Sequence, residues 1–226
     1  MTAEREGAEM DESAWDTKAH RLFARHYDRM TELAERGWLG ALREEVVADL
    51  RGRVLEVGAG TGANLRYYRH ADSVVLAEPS PAMRERLAAR TWEAKVPVEV
   101  LPAVAEDLPF PDASFDAVVY GLVLCSVDDV HRAVAEAVRV LRPGGRLAFV
   151  EHVRADGWLG RVQDLLTPAW RRVAAGCHPN RATLEAMRGA GLEEVWTRSQ
   201  RPRPNFLFTT PVVVGVMTPP AVVTDT

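Results

Sequence analysis

Lysine is nearly missing from this chain: of 226 residues only Lys18 and Lys95 are lysines, and arginine carries almost all the positive charge. A phosphate-binding Walker A loop needs a Gly-Lys-Ser/Thr run, which neither position supplies. The Tyr-x-x-x-Lys pair of short-chain dehydrogenases is excluded too, because neither lysine has a tyrosine four residues earlier. Cysteine is just as scarce. Cys125 and Cys177 are too few for a disulfide framework in a chain of this size, and reduced thiols in a cytoplasm are the expectation. With no paired C-x-x-C spacing, no metal is expected either. No apolar run approaches the ~18 residues of a membrane span, and the polar, acidic start from Met1 to Asp16 lacks the apolar stretch of a secretion signal. A formal charge of −4 and a pI near 5.9 leave no basic footprint for nucleic acid. No segment specifies an oligomeric state.

What is present is enough apolar sequence, 47%, for one substantial core. Residues 1 to about 13 are charged and predict a disordered start. One domain is expected over residues 14–218, followed by a flexible tail over 219–226. Trp15, Ala19, Leu22, Phe23, His26, Tyr27 and Met30 recur at helical spacing, predicting an amphipathic helix with an aromatic face. A second helix is expected over Leu39 to Leu50. Beyond it, β-rich runs at Arg53 to Val57, Ser73 to Ala77, Val98 to Leu101, Phe115 to Tyr120 and Arg146 to His152 alternate with helical patterns. These helices fall at Asn64 to Tyr68, Pro81 to Arg90 and Val130 to Val140. That alternation implies a parallel sheet with crossover helices, an α/β architecture. Arg154 to Asn180 reads as a variable stretch. A helix over Arg181 to Ala190 and two strands, Glu194 to Gln200 and Val212 to Met217, close the chain, the strands joined through an Arg-Pro-Arg-Pro turn that suits a hairpin.

The densest chemical signal runs from Val54 to Gly62, an apolar strand entering a turn with glycines at 58, 60 and 62. Glycines let the backbone turn sharply and approach a ligand, and the amides at a helix start favour a carboxylate or pyrophosphate. Glu78 lies twenty residues after Gly58 at the end of the next strand, where a carboxylate can accept from two ribose hydroxyls. The two features together describe an adenosine-containing ligand. The glycine spacing alone also satisfies the dinucleotide fingerprint through Gly58, Gly60 and Ala63.

Further segments decide between the two. Glu56-x-Gly58-x-Gly60-x-Gly62, Leu108-Pro109-Phe110-x-Asp112-x-x-Phe115-Asp116 and Leu141-Arg142-Pro143-Gly144-Gly145 together resemble class I S-adenosylmethionine-dependent methyltransferases. The ubiquinone-biosynthesis-type branch is closest in these segments. The resemblance spans residues 15 to 217. It implies a Rossmann-like fold with a seven-stranded, mostly parallel sheet, a C-terminal antiparallel hairpin and N-terminal lid helices. S-adenosyl-L-methionine would be the cofactor, S-adenosyl-L-homocysteine the product and a small molecule the acceptor. By the same resemblance Glu56 would hold the methionine ammonium. Gly58, Ala59, Gly60 and Gly62 would bring backbone to the cofactor, and Glu78 would take the ribose. Pro79 and Met83 would pack on the adenine. Val104 stands where relatives often carry an acid, which shifts adenine recognition to Ala105 or Glu106. Leu122 would adjoin the cofactor, and Tyr27 on the lid helix would touch its methionine end.

A narrower resemblance rests on Leu122-Val123-Leu124-Cys125-Ser126-Val127, Glu151-His152-Val153, Pro168-x-Trp170 and Gly176-Cys177-His178-x-x-Arg181. These are similar to the methyltransferase-like alkyl thiol methyltransferases and their bacterial relatives, implying a thiol acceptor, with oxygen, nitrogen or carbon of a specialised metabolite, quinone or lipid as the alternative. A thiol, with a free pKa of about 8.5, needs little more than deprotonation. His152, at the carboxyl end of a strand, is the first candidate base and His178 the second; either also suits a bond to a backbone carbonyl. Cys125 reads as core packing. Trp158, Trp170 and Phe206 are expected around the acceptor, and Arg181 as a surface charge or a salt bridge near the pocket. A non-catalytic cofactor-binding protein is the rival from another class.

Overall fold

A computed structural model of the chain describes residues 11–173, 176–201 and 211–220. Seven strands form one sheet in the order β3-β2-β1-β4-β5-β7-β6. They are β1 (Arg51–Val57), β2 (His70–Ala77), β3 (Val98–Leu101), β4 (Phe115–Gly121), β5 (Leu141–His152), β6 (Glu193–Gln200) and β7 (Val212–Thr218). The first five run parallel, while β7 lies antiparallel to both β5 and β6. Pro202, Arg203 and Pro204 of the Arg-Pro-Arg-Pro connection, and Phe206, lie outside the described residues.

Side chains alternate along the central strands as the pleat requires. Leu55 and Val57 face one core with Val118 and Tyr120, covered by α4 (Val130–Val140). Val54 and Leu76 face the other with Val119 and Val150, covered by α2 (Gly40–Val47). Both faces of the parallel strands are therefore buried, which is why they read as near-continuous apolar runs. The order reverses between β1 and β4, so a crevice opens above their carboxyl ends, the usual ligand position in such sheets.

Helix α1 (Lys18–Ala34) begins where the Thr17 hydroxyl accepts from the His20 amide, and the chain kinks at Gly37 before α2. The remaining helices are α3 (Pro81–Ala88), α5 (Gly157–Val173) and α6 (Thr183–Gly189). Among the described residues no helix is long and apolar enough to cross a membrane.

Three local expectations are corrected. Asp11 to Ser13, placed in the disordered start, belong to an ordered turn: Asp11 caps Glu12–Ala14, and Glu12 pairs with Arg84. The helix expected over Asn64 to Tyr68 is one 3-10 turn, Leu65–Tyr67. The stretch after Arg154 holds the whole of α5 despite Pro168 inside it; Asp164, the residue whose carbonyl the proline leaves without an amide, lies on the exposed side.

Candidate functional site

A cleft of about 300 Å³ lies over the carboxyl ends of β1, β2, β4 and β5, with Phe23 and Tyr27 of α1 as its roof. At one end stands Glu78, buried at the tip of β2. Its Oε2 accepts from the Gly60 amide at 2.8 Å and its Oε1 from the Ser80 amide at 2.9 Å. Burial raises its pKa, and these amides with Arg84 oppose the shift. Each oxygen keeps a lone pair for a ribose hydroxyl. Pro79, Met83, Ala105 and Glu106 continue the wall, which is mostly apolar on this side. Glu106 turns its Oε1 to the amides of Asp128 and Asp129.

The glycine turn works differently from the expectation of free amides. Gly58 and Ala59 both donate to the Ala77 carbonyl, Gly60 to Glu78, and Gly62 to the Ala59 carbonyl. These amides are spent inside the protein, so the turn is shaped for close approach rather than for a pyrophosphate. Gly58 (φ +67) is required on two counts, because a Cβ there would meet Val123 at 2.6 Å. Gly58 and Gly60 line the cleft, while Ala59 and Gly62 lie behind it.

Glu56 is also behind the wall. Asn64 donates to its Oε1 at 2.9 Å and Tyr68 to its Oε2 at 2.7 Å, so each oxygen has one partner inside the protein. Arg43, fully enclosed, donates to Asn64 and pairs with Glu35, and it lies against Gly121 so closely that a Cβ there would meet its guanidinium at 2.6 Å. Sequence reasoning missed Arg43; a lone arginine in a helical pattern carries no signal of this network.

Desolvation drives the Glu56 carboxyl up to about 7, against the hydrogen bond from Tyr68 and the charge of Arg43. Glu151 is driven up to about 7 by the same cause, its Oε1 accepting from Val123 and Leu124 while Oε2 has no partner among the described residues. Both groups hold a proton more tightly folded than unfolded. Their stabilising effect is therefore full below about pH 4.5 and lost as pH rises to about 7, on the order of 3 kcal/mol per group. The thermal midpoint of the ligand-free protein should fall between about pH 5 and pH 7.5. Scanning calorimetry should show a shallower fall for Glu151→Gln, and an equal slope would contradict this assignment.

At the other end the loop after β4 makes the wall. Leu122 takes the left-handed conformation (φ +66) that non-glycine residues rarely adopt, held by its amide on the Val150 carbonyl. Beyond it lie Cys125, His152 at the tip of β5, Cys177 and a half-exposed Trp170. His152 Nδ1 is 4.0 Å from Cys177 Sγ. The two sulfur atoms lie within 4.8 Å of each other. Cys177 is held below the ordinary thiol range by the neighbouring Cys125 thiol and by His152, while Cys125 is pushed up by its neighbour and by burial.

The histidines separate here. His152 is on the cleft wall; His178 is not, and its amide and ring both sit on the Cys125 carbonyl, at 2.6 Å and 3.3 Å. His178 is thus a clamp on the loop rather than the second base, and Arg181 completes it by donating to the Leu124 carbonyl at 2.8 Å. Trp158, expected at the acceptor, is 69% exposed and off the wall. Cys125, expected as core, is buried yet reaches the cleft.

A methyltransferase-domain family matches residues 55–149, from β1 through most of β5. The thiol S-methyltransferase TMT1B of Rattus norvegicus is 32% identical over 199 residues, covering 86% of this chain and 81% of the relative. The chain belongs to the S-adenosylmethionine-dependent methyltransferases. This methyltransferase is also 31% identical over 204 residues to the ubiquinone/menaquinone biosynthesis C-methyltransferase UbiE of Azotobacter vinelandii, covering 76% and 79% of the two chains. Its fold superposes on a solved S-adenosylmethionine-dependent methyltransferase of Thermotoga maritima with a TM-score of 0.69 and 27% identity, over 89% of this chain and 99% of that one. The class I fold and the cofactor inferred from the sequence both stand.

Proposed function

We propose that this methyltransferase transfers the methyl group of S-adenosylmethionine to the sulfur of a small, largely apolar thiol. The observation that carries the reading is the wall of the acceptor end, where Cys125, Cys177, His152 and Trp170 stand together. A phenol or alcohol would need a strong base there, whereas a thiol is already close to ionisation at neutral pH. The similarity to a thiol S-methyltransferase over most of both chains supports the same acceptor. In this reading residues 14–218 act as one domain. Glu78 takes the ribose, Gly58 and Gly60 give close backbone approach, and Pro79, Met83 and Ala105 pack on the adenine. Tyr27 and Leu122 bound the methionine end. Glu56, from behind the wall, supplies negative charge toward the ammonium. His152 meets the acceptor. The compartment is the cytoplasm, where adjacent thiols stay reduced.

Transfer is an in-line displacement whose acceleration comes chiefly from alignment. An equimolar mixture of an alkyl thiol, alcohol and amine of one chain length, incubated with S-adenosylmethionine bearing a deuterated methyl group, tests the acceptor atom. Mass spectrometry should find the label in the methyl thioether alone; labelled ether or methylamine would overturn the reading. The likeness to UbiE favours one second reading, C-methylation of a quinone precursor, for which the same mixture spiked with a polyprenylated hydroquinone gives the comparison.

A further inference from the structure

Cys125, His152 and Cys177 come from three separated segments: the loop after β4, the tip of β5 and the loop after α5. The fold brings both Sγ atoms and one ring nitrogen of His152 within 4.8 Å of one another. Spacing along the chain argued against a metal because it shows no paired cysteines, but the ligands here are assembled by the sheet, not by a local motif. We propose that these three side chains bind one thiophilic divalent cation of the zinc class, with the fourth position open to the cleft for the acceptor's sulfur.

The donor set fits. Two thiolates and one neutral imidazole balance a divalent charge, and three protein ligands with a vacant fourth position are the pattern of catalytic rather than structural zinc sites. Zn–S bonds of about 2.3 Å and Zn–N bonds of about 2.0–2.1 Å in a tetrahedron put donors roughly 3.5–3.8 Å apart. Cys177 Sγ and His152 Nδ1 are already 4.0 Å apart, so small side-chain rotations close the site. The supporting shell is in place. His178 and Arg181 pin the carbonyls of Cys125 and Leu124, Glu151 pins the amides of Val123 and Leu124, and Ser126 Oγ lies 3.6 Å from Cys125 Sγ. These contacts fix the Cys125 loop against the Cys177 loop, the preorganisation a metal site needs. All three donors also border the cleft.

The chemistry deepens the thiol reading and rests on it. An acceptor R–SH entering the fourth position loses its proton to water and remains as a metal-bound thiolate. A sulfur lone pair attacks the methyl carbon as the C–S bond of the sulfonium breaks, its electron pair returning to the cofactor's sulfur. R–S–CH3 and S-adenosylhomocysteine result, with no change of oxidation state, and the neutral thioether dissociates more readily than the thiolate it replaced. His152 then serves as a ligand through Nδ1 rather than as a proton acceptor.

The test begins with full-length protein purified under reducing conditions from zinc-supplemented medium. Elemental analysis should find about one zinc per chain, lost in Cys125→Ser and in Cys177→Ser, while both variants keep wild-type S-adenosylmethionine affinity as proof of folding. Chelator-stripped wild type titrated with Co²⁺ should develop a near-ultraviolet thiolate-to-cobalt charge-transfer band saturating at one equivalent. Adding an alkyl thiol should shift that band. A reduced wild-type protein that holds no zinc and gives no band overturns the site, whatever the serine variants do. So does a Cys125–Cys177 disulfide in protein purified without oxidant. A normal band that thiols leave unchanged overturns the open position while the ligand set stands, and the label-transfer mixture then decides the thiol acceptor separately.

Discussion

Replacing Glu78 by alanine is expected to raise the dissociation constant for S-adenosylmethionine by about two to four orders of magnitude, with the fold intact. Hydrogen bonds to a charged acceptor contribute about 1.5–3 kcal/mol each, two ribose hydroxyls would face one carboxylate in the proposed site, and about 1.4 kcal/mol is a tenfold change in affinity. Glu78 also holds the amides of Gly60 and Ser80, so its loss loosens the turn that approaches the cofactor. The fold should survive, because a carboxyl that burial pushes upward in pKa is itself a cost to the ligand-free protein. Titration calorimetry on wild type and Glu78→Ala, with circular dichroism as the folding control, gives the comparison. An unchanged dissociation constant would remove Glu78 from the cofactor site.

Changing His152 to alanine should lower kcat with a thiol acceptor by about 10²-fold or more, the scale for losing a group that activates the acceptor, whether as a base or as a metal ligand. S-adenosylmethionine affinity should stay within about twofold, since His152 stands at the far end of the cleft from Glu78. Steady-state kinetics with direct binding measurements separates the two quantities. Metal content of the same variant then tells how His152 acts: a ligand takes the cation with it, a proton acceptor does not. Weakened cofactor binding at an unchanged kcat would move His152 out of the acceptor end.

The strands were legible because burial on both faces writes them as apolar runs, and the glycine turn because positive φ at Gly58, Gly60 and Gly62 leaves few other residues possible. Glu78 was legible from its distance to the turn. What the sequence concealed depends on tertiary direction. His152 and His178 look alike as residues, and only the strand end carrying one and the Cys125 carbonyl under the other tell them apart. Glu56 was expected at the cofactor's ammonium; that Asn64 and Tyr68 donate to its carboxylate is a pairing the local sequence does not reveal. Helix α5 was hidden by Pro168 and by an apolar stripe that includes exposed Trp158 and Leu165, a pattern that does not announce which side packs. The trio of Cys125, His152 and Cys177 had no motif because its spacing exists only in the folded sheet.

The most direct test of the account is turnover of methyl-labelled S-adenosylmethionine against a panel of alkyl and aryl thiols, catechols, amines and quinone precursors, with Glu78→Ala as the blank. Label should pass to thiols across a range of chain lengths, with none above the blank for oxygen, nitrogen or carbon acceptors. Efficient labelling of a non-thiol acceptor, with thiols at the level of the Glu78→Ala blank, would contradict it.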